Sequence, residues 1–176
     1  MDYFRIREDR SYFYTPDITN LWDIVNRRAA MALKNESNIS DINVGFARSE
    51  KQLDYVDVLD HQLFLVSEGI KRVLSIYDPS LIFKNLFLLN NLDGSYFNYY
   101  APLFTEVDCL PEMYKIMTHR NKLEKLIIKA KAVEDYSVCK VAGIDTDIVI
   151  IRLDVAESLL RRGFTKLILE RVVLED

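Results

Sequence analysis

Residues 62–90 read QLFLVSEGIKRVLSIYDPSLIFKNLFLLN, and the fold follows from how this stretch is divided. The apolar run 62–66 reads as a strand. Ser67 then stands where a helix N-cap belongs, because its hydroxyl can accept from a free amide of the first turn, and Glu68 suits the positive end of the helix dipole. Ile70, Val73, Leu74 and Tyr77 recur at the spacing of one helix face. Asp78 and Pro79 stop the helix, since the residue before a proline avoids the helical region. Residues 85–90 return as a strand. Residues 147–174, DIVIIRLDVAESLLRRGFTKLILERVVL, repeat the plan. There Asp154 and Glu157 fit a capping box, Val155, Leu159 and Leu160 supply the packing stripe, and Gly163 sits at the helix's C′ position. Thr165 opens the closing strand, which runs to Leu174.

Between these two strand–helix–strand units, residues 91–94 (NLDG) signal a turn in which Gly94 is free to take positive φ. The following SYFNYYAPLFTEVDCL alternates. Phe97, Tyr99, Ala101, Leu103, Val107 and Cys109 form one set and read as the core face. Tyr96, Asn98, Tyr100, Phe104, Glu106 and Asp108 form the other, and Pro102 implies an edge or a bulge. Elsewhere, Tyr3, Phe4 and Ile6 suggest a short strand and residues 21–33 an amphipathic helix with Trp22 beside its stripe. Residues 35–40 read as a polar loop, 42–47 as an edge strand and 49–54 as a hinge. Residues 111–121 predict a turn or short helix, 123–133 a strand and 136–141 another. The fold class expected is α+β: mixed, largely antiparallel sheet with a few short packed helices, two strand–helix–strand units flanking a central hairpin. A chain of 176 residues fits one domain over residues 1–176, with 1–50 as a candidate N-terminal subregion.

Apolar residues make up 49% and charged residues 28%, an ordinary globular composition able to build its own core. The net charge of −4 argues against nucleic-acid binding through bulk positive charge. Six basic residues between Lys115 and Lys131 make a local patch, but without interleaved aromatics it is a weak nucleic-acid signal. No apolar run reaches the ~18 residues of a membrane span and no leader is visible, so a cytoplasmic protein without membrane or nucleic-acid partners is expected. Cys109 and Cys139 each stand alone inside strand-like runs and read as reduced, buried structural residues. His61 and His119 have no second ligand at metal spacing, and both read as surface residues. All five glycines are isolated, which excludes a phosphate-cradling loop. Ser67 has the strand-to-helix position of a nucleophile, but its neighbours Val66 and Glu68 favour the cap. The carboxylate pairs Asp57/Asp60, Glu106/Asp108 and Asp145/Asp147 read as solvated charge rather than as a general acid and base held across a cleft. No cofactor or metal is expected, and no catalytic residue is assigned.

Three segments together resemble a bacterial immunity-protein family of polymorphic toxin systems, long carried as a domain of unknown function. They are LFLVSEGIKRVL, the aromatic strand that ends in VDCL, and IVIIRLDVAESLLRRGFTKLILERV. The resemblance covers roughly residues 53–176. It departs after Gly163, where Lys166 stands near a place the family usually gives to a small residue. The resemblance implies a non-enzymatic cytoplasmic protein that binds a cognate toxin and neutralises it non-covalently. It carries over no functional residue. A tight inhibitor needs aromatic anchors in a polar rim, so the surface expected to bind is Tyr96, Tyr100, Phe104, Glu106 and Asp108, with Trp22 as a further anchor. The competing reading of that face is that a helix or second sheet covers it, and the competing reading of Trp22 is helix-edge packing. The alternative functions are a small hydrolase using distant acidic residues and a structural or regulatory protein-binding module.

Overall fold

A computed structural model describes residues 1–25, 32–48, 52–112, 126–144 and 146–176. Among these the fold is α+β, with two five-stranded sheets and four short helices. The first sheet runs β11-β1-β10-β9-β7, built from β1 (Tyr3–Arg7), β7 (Glu106–Val107), β9 (Val138–Val141), β10 (Val149–Arg152) and β11 (Ile168–Arg171). The second runs β2-β5-β6-β4-β3, built from β2 (Ile42–Ala47), β3 (Val58–Leu59), β4 (Leu65–Val66), β5 (Ile82–Asn90) and β6 (Tyr96–Leu103). A two-stranded ladder joins β8 (Ile127–Lys129) to β12 (Val173–Glu175). The helices are α1 (Leu21–Ile24), α2 (Glu68–Tyr77), α3 (Ala130–Val133) and α4 (Leu153–Arg161). The first fifty residues supply strands to both sheets.

The two strand–helix–strand units have one topology. β4 and β5 both pair antiparallel with β6, so the unit β4-α2-β5 spans a strand that lies between its own two. β10 and β11 likewise both pair antiparallel with β1. Three neighbouring strands in each sheet therefore have the same order, β5-β6-β4 and β11-β1-β10. The inserted strand follows the first unit directly, whereas in the second it comes from the start of the chain.

α2 lies on β4 and β6, α4 lies on β10 and β1, and the helices touch each other. Gly69 makes room for the segment that follows α4, because a Cβ there would come within 2.6 Å of the Phe164 ring. Both sheets and both helices share one core. It holds Ile6, Val138, Val149 and Ile151 of the first sheet, Leu86, Leu88, Tyr99 and Leu103 of the second, and Ile70, Leu74, Val155 and Leu159 of the helices. The alternate residues Tyr3, Cys139, Val141 and Ile150 face a smaller cluster with Ile128, Val133 and Val172, as the period of two along a strand requires.

Several local expectations are met. Ser67 caps α2, its Oγ accepting from the Ile70 amide, and the helix ends at Tyr77 before Asp78 and Pro79. Gly94, Gly143 and Gly163 take positive φ. Pro102 sits in a strand flanked on both sides, but β4 pairs with β6 only at Tyr100, so β6 is in effect an edge at the proline.

Other expectations need correction. Asp154 is not the cap of α4. The helix begins at Leu153, and Asp154 lies in its first turn, where Arg152 grips its carboxylate through two nitrogens. The cap position is Arg152, and Glu157 pairs forward with Arg161 instead of reaching back. The helix read over residues 21–33 stops after one turn, because Val25 is extended, and residues 33–38 form a 3-10 turn rather than a loop. Residues 127–129 are strand as read, but 130–133 turn into α3. The middle of the 21–33 helix, much of the 49–54 hinge, most of the 111–121 turn and of the basic patch, His119 and Asp145 lie outside the described residues.

Candidate functional site

The six residues expected to bind a partner do not form one surface. Tyr96 is 65% exposed at the start of β6. Tyr100 is on the same face but buried beneath α2, with the Lys71 ammonium 3.8 Å above its ring. Phe104 is fully buried, edge-on to Phe64 at 5.6 Å. Alternation fails there because the chain changes sheets. β6 ends at Leu103, Phe104 bridges to Ala32, and Glu106 already pairs with Lys140 of β9 in the other sheet. Trp22 is exposed on α1, which lies against β2.

Glu106 belongs to a charge cluster. Its carboxylate receives Lys34 and, at 3.0 Å, the ammonium of Lys140, which also meets Asp147 at 3.1 Å. Lys140 is almost wholly buried. Burial alone would push the Glu106 carboxyl up, but its bonds to Lys34 and Lys140 outweigh that and hold it below the usual range. Asp108, exposed, lines an open cleft of about 430 Å³ with Glu106, Phe104, Thr105 and Leu33. The second sheet also buries one lysine. Lys84 reaches Asp41 at 2.7 Å and Glu36 at 3.6 Å across a polar groove beside the 3-10 turn.

Other groups that carry chemistry in enzymes are committed to structure. Ser67 Oγ donates to Asp57, and Asp60 lies between Arg7 and Arg10. Burial pushes the Cys109 thiol up to about 11 and raises Cys139 as well, so both thiols stay protonated. His61 lies in an exposed bend, as read, but its ring is held at both nitrogens. Its Nδ1 contacts Glu8 at 2.6 Å and its Nε2 contacts Asp17 at 2.9 Å. The two carboxylates lie at opposite nitrogens and so do not converge on a metal, and among the described residues no metal-binding cluster occurs. No helix there is long and apolar enough to cross a membrane.

The surface that stands out was not read from sequence. Residues in register on neighbouring strands share a face, and here Val44, Phe87 and Asn98 form one row and Phe46, Leu89 and Tyr96 the next. Ile42 begins a third row that passes through Asn85 to Tyr100. α2 covers the Tyr100 end. Beyond it the face is open: Ile42, Val44, Phe46 and Tyr96 are exposed, Phe87 and Leu89 partly so, and the Phe87 and Tyr96 rings touch at 6.5 Å. β2 thus carries its large residues outward and its small ones, Gly45 and Ala47, inward. Gly45 is needed for this, because a Cβ there would press on Leu86 and Leu88 at 3.2 Å. The one available signal was INVGFA, an alternation whose buried set is too small to be a core stripe.

The ends of this face are charged. Arg48 follows β2 and Asp93 sits in the β5–β6 turn at one end, while Glu68, Lys71 and Arg72 of α2 surround Tyr100 at the other. An apolar centre between charged ends is the make-up of a protein-binding surface. Compared with models of known protein families the chain matches none, and it matches none of the curated proteins.

Proposed function

We propose that this is an immunity protein that binds a cognate bacterial toxin in the cytoplasm and neutralises it by non-covalent contact, through the open face of β2, β5 and β6. The observation that carries this reading is the row of exposed Ile42, Val44, Phe46 and Tyr96 on a rigid sheet. Aromatic and aliphatic anchors held by regular structure need little ordering on binding, which favours tight inhibition. The resemblance of three segments to the immunity family points to a toxin as the partner. Tyr96 keeps its expected role as an anchor, with Trp22 on the neighbouring α1. Tyr100, under α2, and Phe104, past the end of β6, are buried and take no part in binding.

The test is co-expression with the toxic domain encoded beside the gene. A stable complex and protection of the host are expected. Val44→Asp and Tyr96→Asp are expected to weaken the complex by ~100-fold or more, the scale of interface hot spots, while leaving the melting temperature nearly unchanged because both sites are exposed. Neither complex nor protection for that pair, with the wild-type chain folded, refutes the assignment.

A further inference from the structure

We propose that His61 is a proton-operated clasp: while both ring nitrogens carry protons it ties residues 17–20 across the free edge of β2, and loss of one proton releases them.

Residues 17–20 act as a strap on β2. The Arg48 amide donates to the Asp17 carbonyl and the Thr19 amide to the Phe46 carbonyl, each at 2.8 Å, and Ile18 bridges Ala47. The Asn20 side chain donates to the Val44 carbonyl at 3.0 Å and accepts from the Phe46 amide at 2.9 Å, copying a strand's own bonding. Without the strap these groups would be a bare sheet edge. On its other side the strap is held by the turn before β4. Gln62 accepts from the Ile18 amide at 2.6 Å and donates to the Ile18 carbonyl at 3.2 Å. His61 completes the hold by joining Asp17 to Glu8.

Two carboxylates at opposite nitrogens require a ring with two N–H donors. A neutral ring has one donor and one lone pair, and here the lone pair would face an anion. Asp17 then lets go first. Glu8 is buried, also accepts the Asp60 amide at 3.2 Å and is bonded by Thr15, whereas Asp17 is 38% exposed and has Arg48 at 3.7 Å as an alternative partner. The other charges packed around the clasp are Asp60 and, 3.7 and 3.6 Å from it, Arg7 and Arg10. The hydrogen bond to Glu8, with Asp17 adding to it, holds His61 above its ordinary value despite burial. Burial would raise Glu8, but the bonds from His61, Thr15 and Asp60 carry it downward overall. The raised His61 contributes in full below the ordinary histidine value of about 6.5, and the lowered Glu8 contributes in full above the ordinary glutamate value of about 4.3. The clasp therefore weakens as pH rises through the His61 value and again as pH falls through the Glu8 value. Released, β2 offers the Val44 and Phe46 backbone to an added strand, beside the open apolar face.

The experiment is an NMR titration of the His61 ring in the full chain, from about pH 5.5 to about pH 9.5, with amide exchange at each step corrected for intrinsic rates. His61 is expected to titrate above the ordinary value. Ile18, Thr19, Phe46 and Arg48 amides are expected to lose protection about tenfold across that titration, while Leu86 and Leu88 of β5 keep theirs. His61→Gln, which has no ionisable ring, is expected to remove the pH dependence. Titration at or below the ordinary value, or strap protection unchanged through it, overturns the proposal, and the wild-type data decide this even if the variant does not fold.

Discussion

The two strand–helix–strand units share a topology but treat their outer strands differently. Next to β5 the second sheet adds β2, whose outward residues are Ile42, Val44 and Phe46. The first sheet ends on β11, where Glu170 pairs with Arg7 at 2.8 Å and Arg171 with Asp2 at 2.9 Å. Ion pairs along an outer strand discourage association, and exposed aliphatic and aromatic side chains invite it. One scaffold used twice thus carries an ion-paired outer strand in one sheet and an exposed apolar one in the other.

The buried lysines offer the strongest way to break this pairing of the two sheets. The partners of Lys140, Glu106 and Asp147, are sheltered, whereas Asp41 opposite Lys84 is 90% exposed and Glu36 also largely open. Removing a cation costs more where its carboxylates are sheltered than where they are solvated. Lys140→Ala is expected to cost about 4 kcal/mol of unfolding free energy, and Lys84→Ala about 2, mostly from lost packing of its stem. Urea denaturation of both variants checks this, and equal losses would end the distinction.

The helices should behave alike. Leu74 and Leu159 are both buried in the shared core, so Leu74→Ala and Leu159→Ala are each expected to cost about 3 kcal/mol. Calorimetry that showed one helix dispensable would mean that the shared topology hides unequal supports.

The two helices start differently, and the difference is small in energy. Ser67→Ala removes a side-chain cap and is expected to cost about 1 kcal/mol at neutral pH. Asp154→Asn is expected to cost less. The Arg152 guanidinium holds the Asp154 carboxyl below the usual range. Its stabilisation is therefore present above the ordinary aspartate value and lost as pH falls through the lowered one. Denaturation repeated in acid should find the Asp154→Asn penalty gone.

These contrasts also mark where sequence reading stops. The α2 unit was legible because cap, stripe and proline stop all lie within twelve residues of one another. α4 was legible as a helix, but its start is set by the Leu153 amide donating to the carbonyl of Asp2 at 3.0 Å, a partner at the other end of the chain. The strand from Tyr96 was legible as far as Leu103. Beyond it alternation lost its meaning, because Thr105 carries the chain into the other sheet. The burial of Tyr100 depends on where α2 comes to rest. The contact of His61 with Glu8 was hidden because the two lie 53 positions apart. The open face was hidden because β2 reverses the usual pattern, and only its register with β5 shows the exposed residues to be neighbours.

β1 has one more consequence, for the order in which the chain takes shape. Residues 58–103 contain everything their sheet's centre needs and can assemble as soon as they are made. The other set of three joins residues 3–7 to residues 149–152 and 168–171, so β1 pairs only with strands far later in the chain. Contacts so distant in sequence form slowly. The ladder that holds Phe4 and Ile6 is therefore expected to form later than the one that joins β5 to β6.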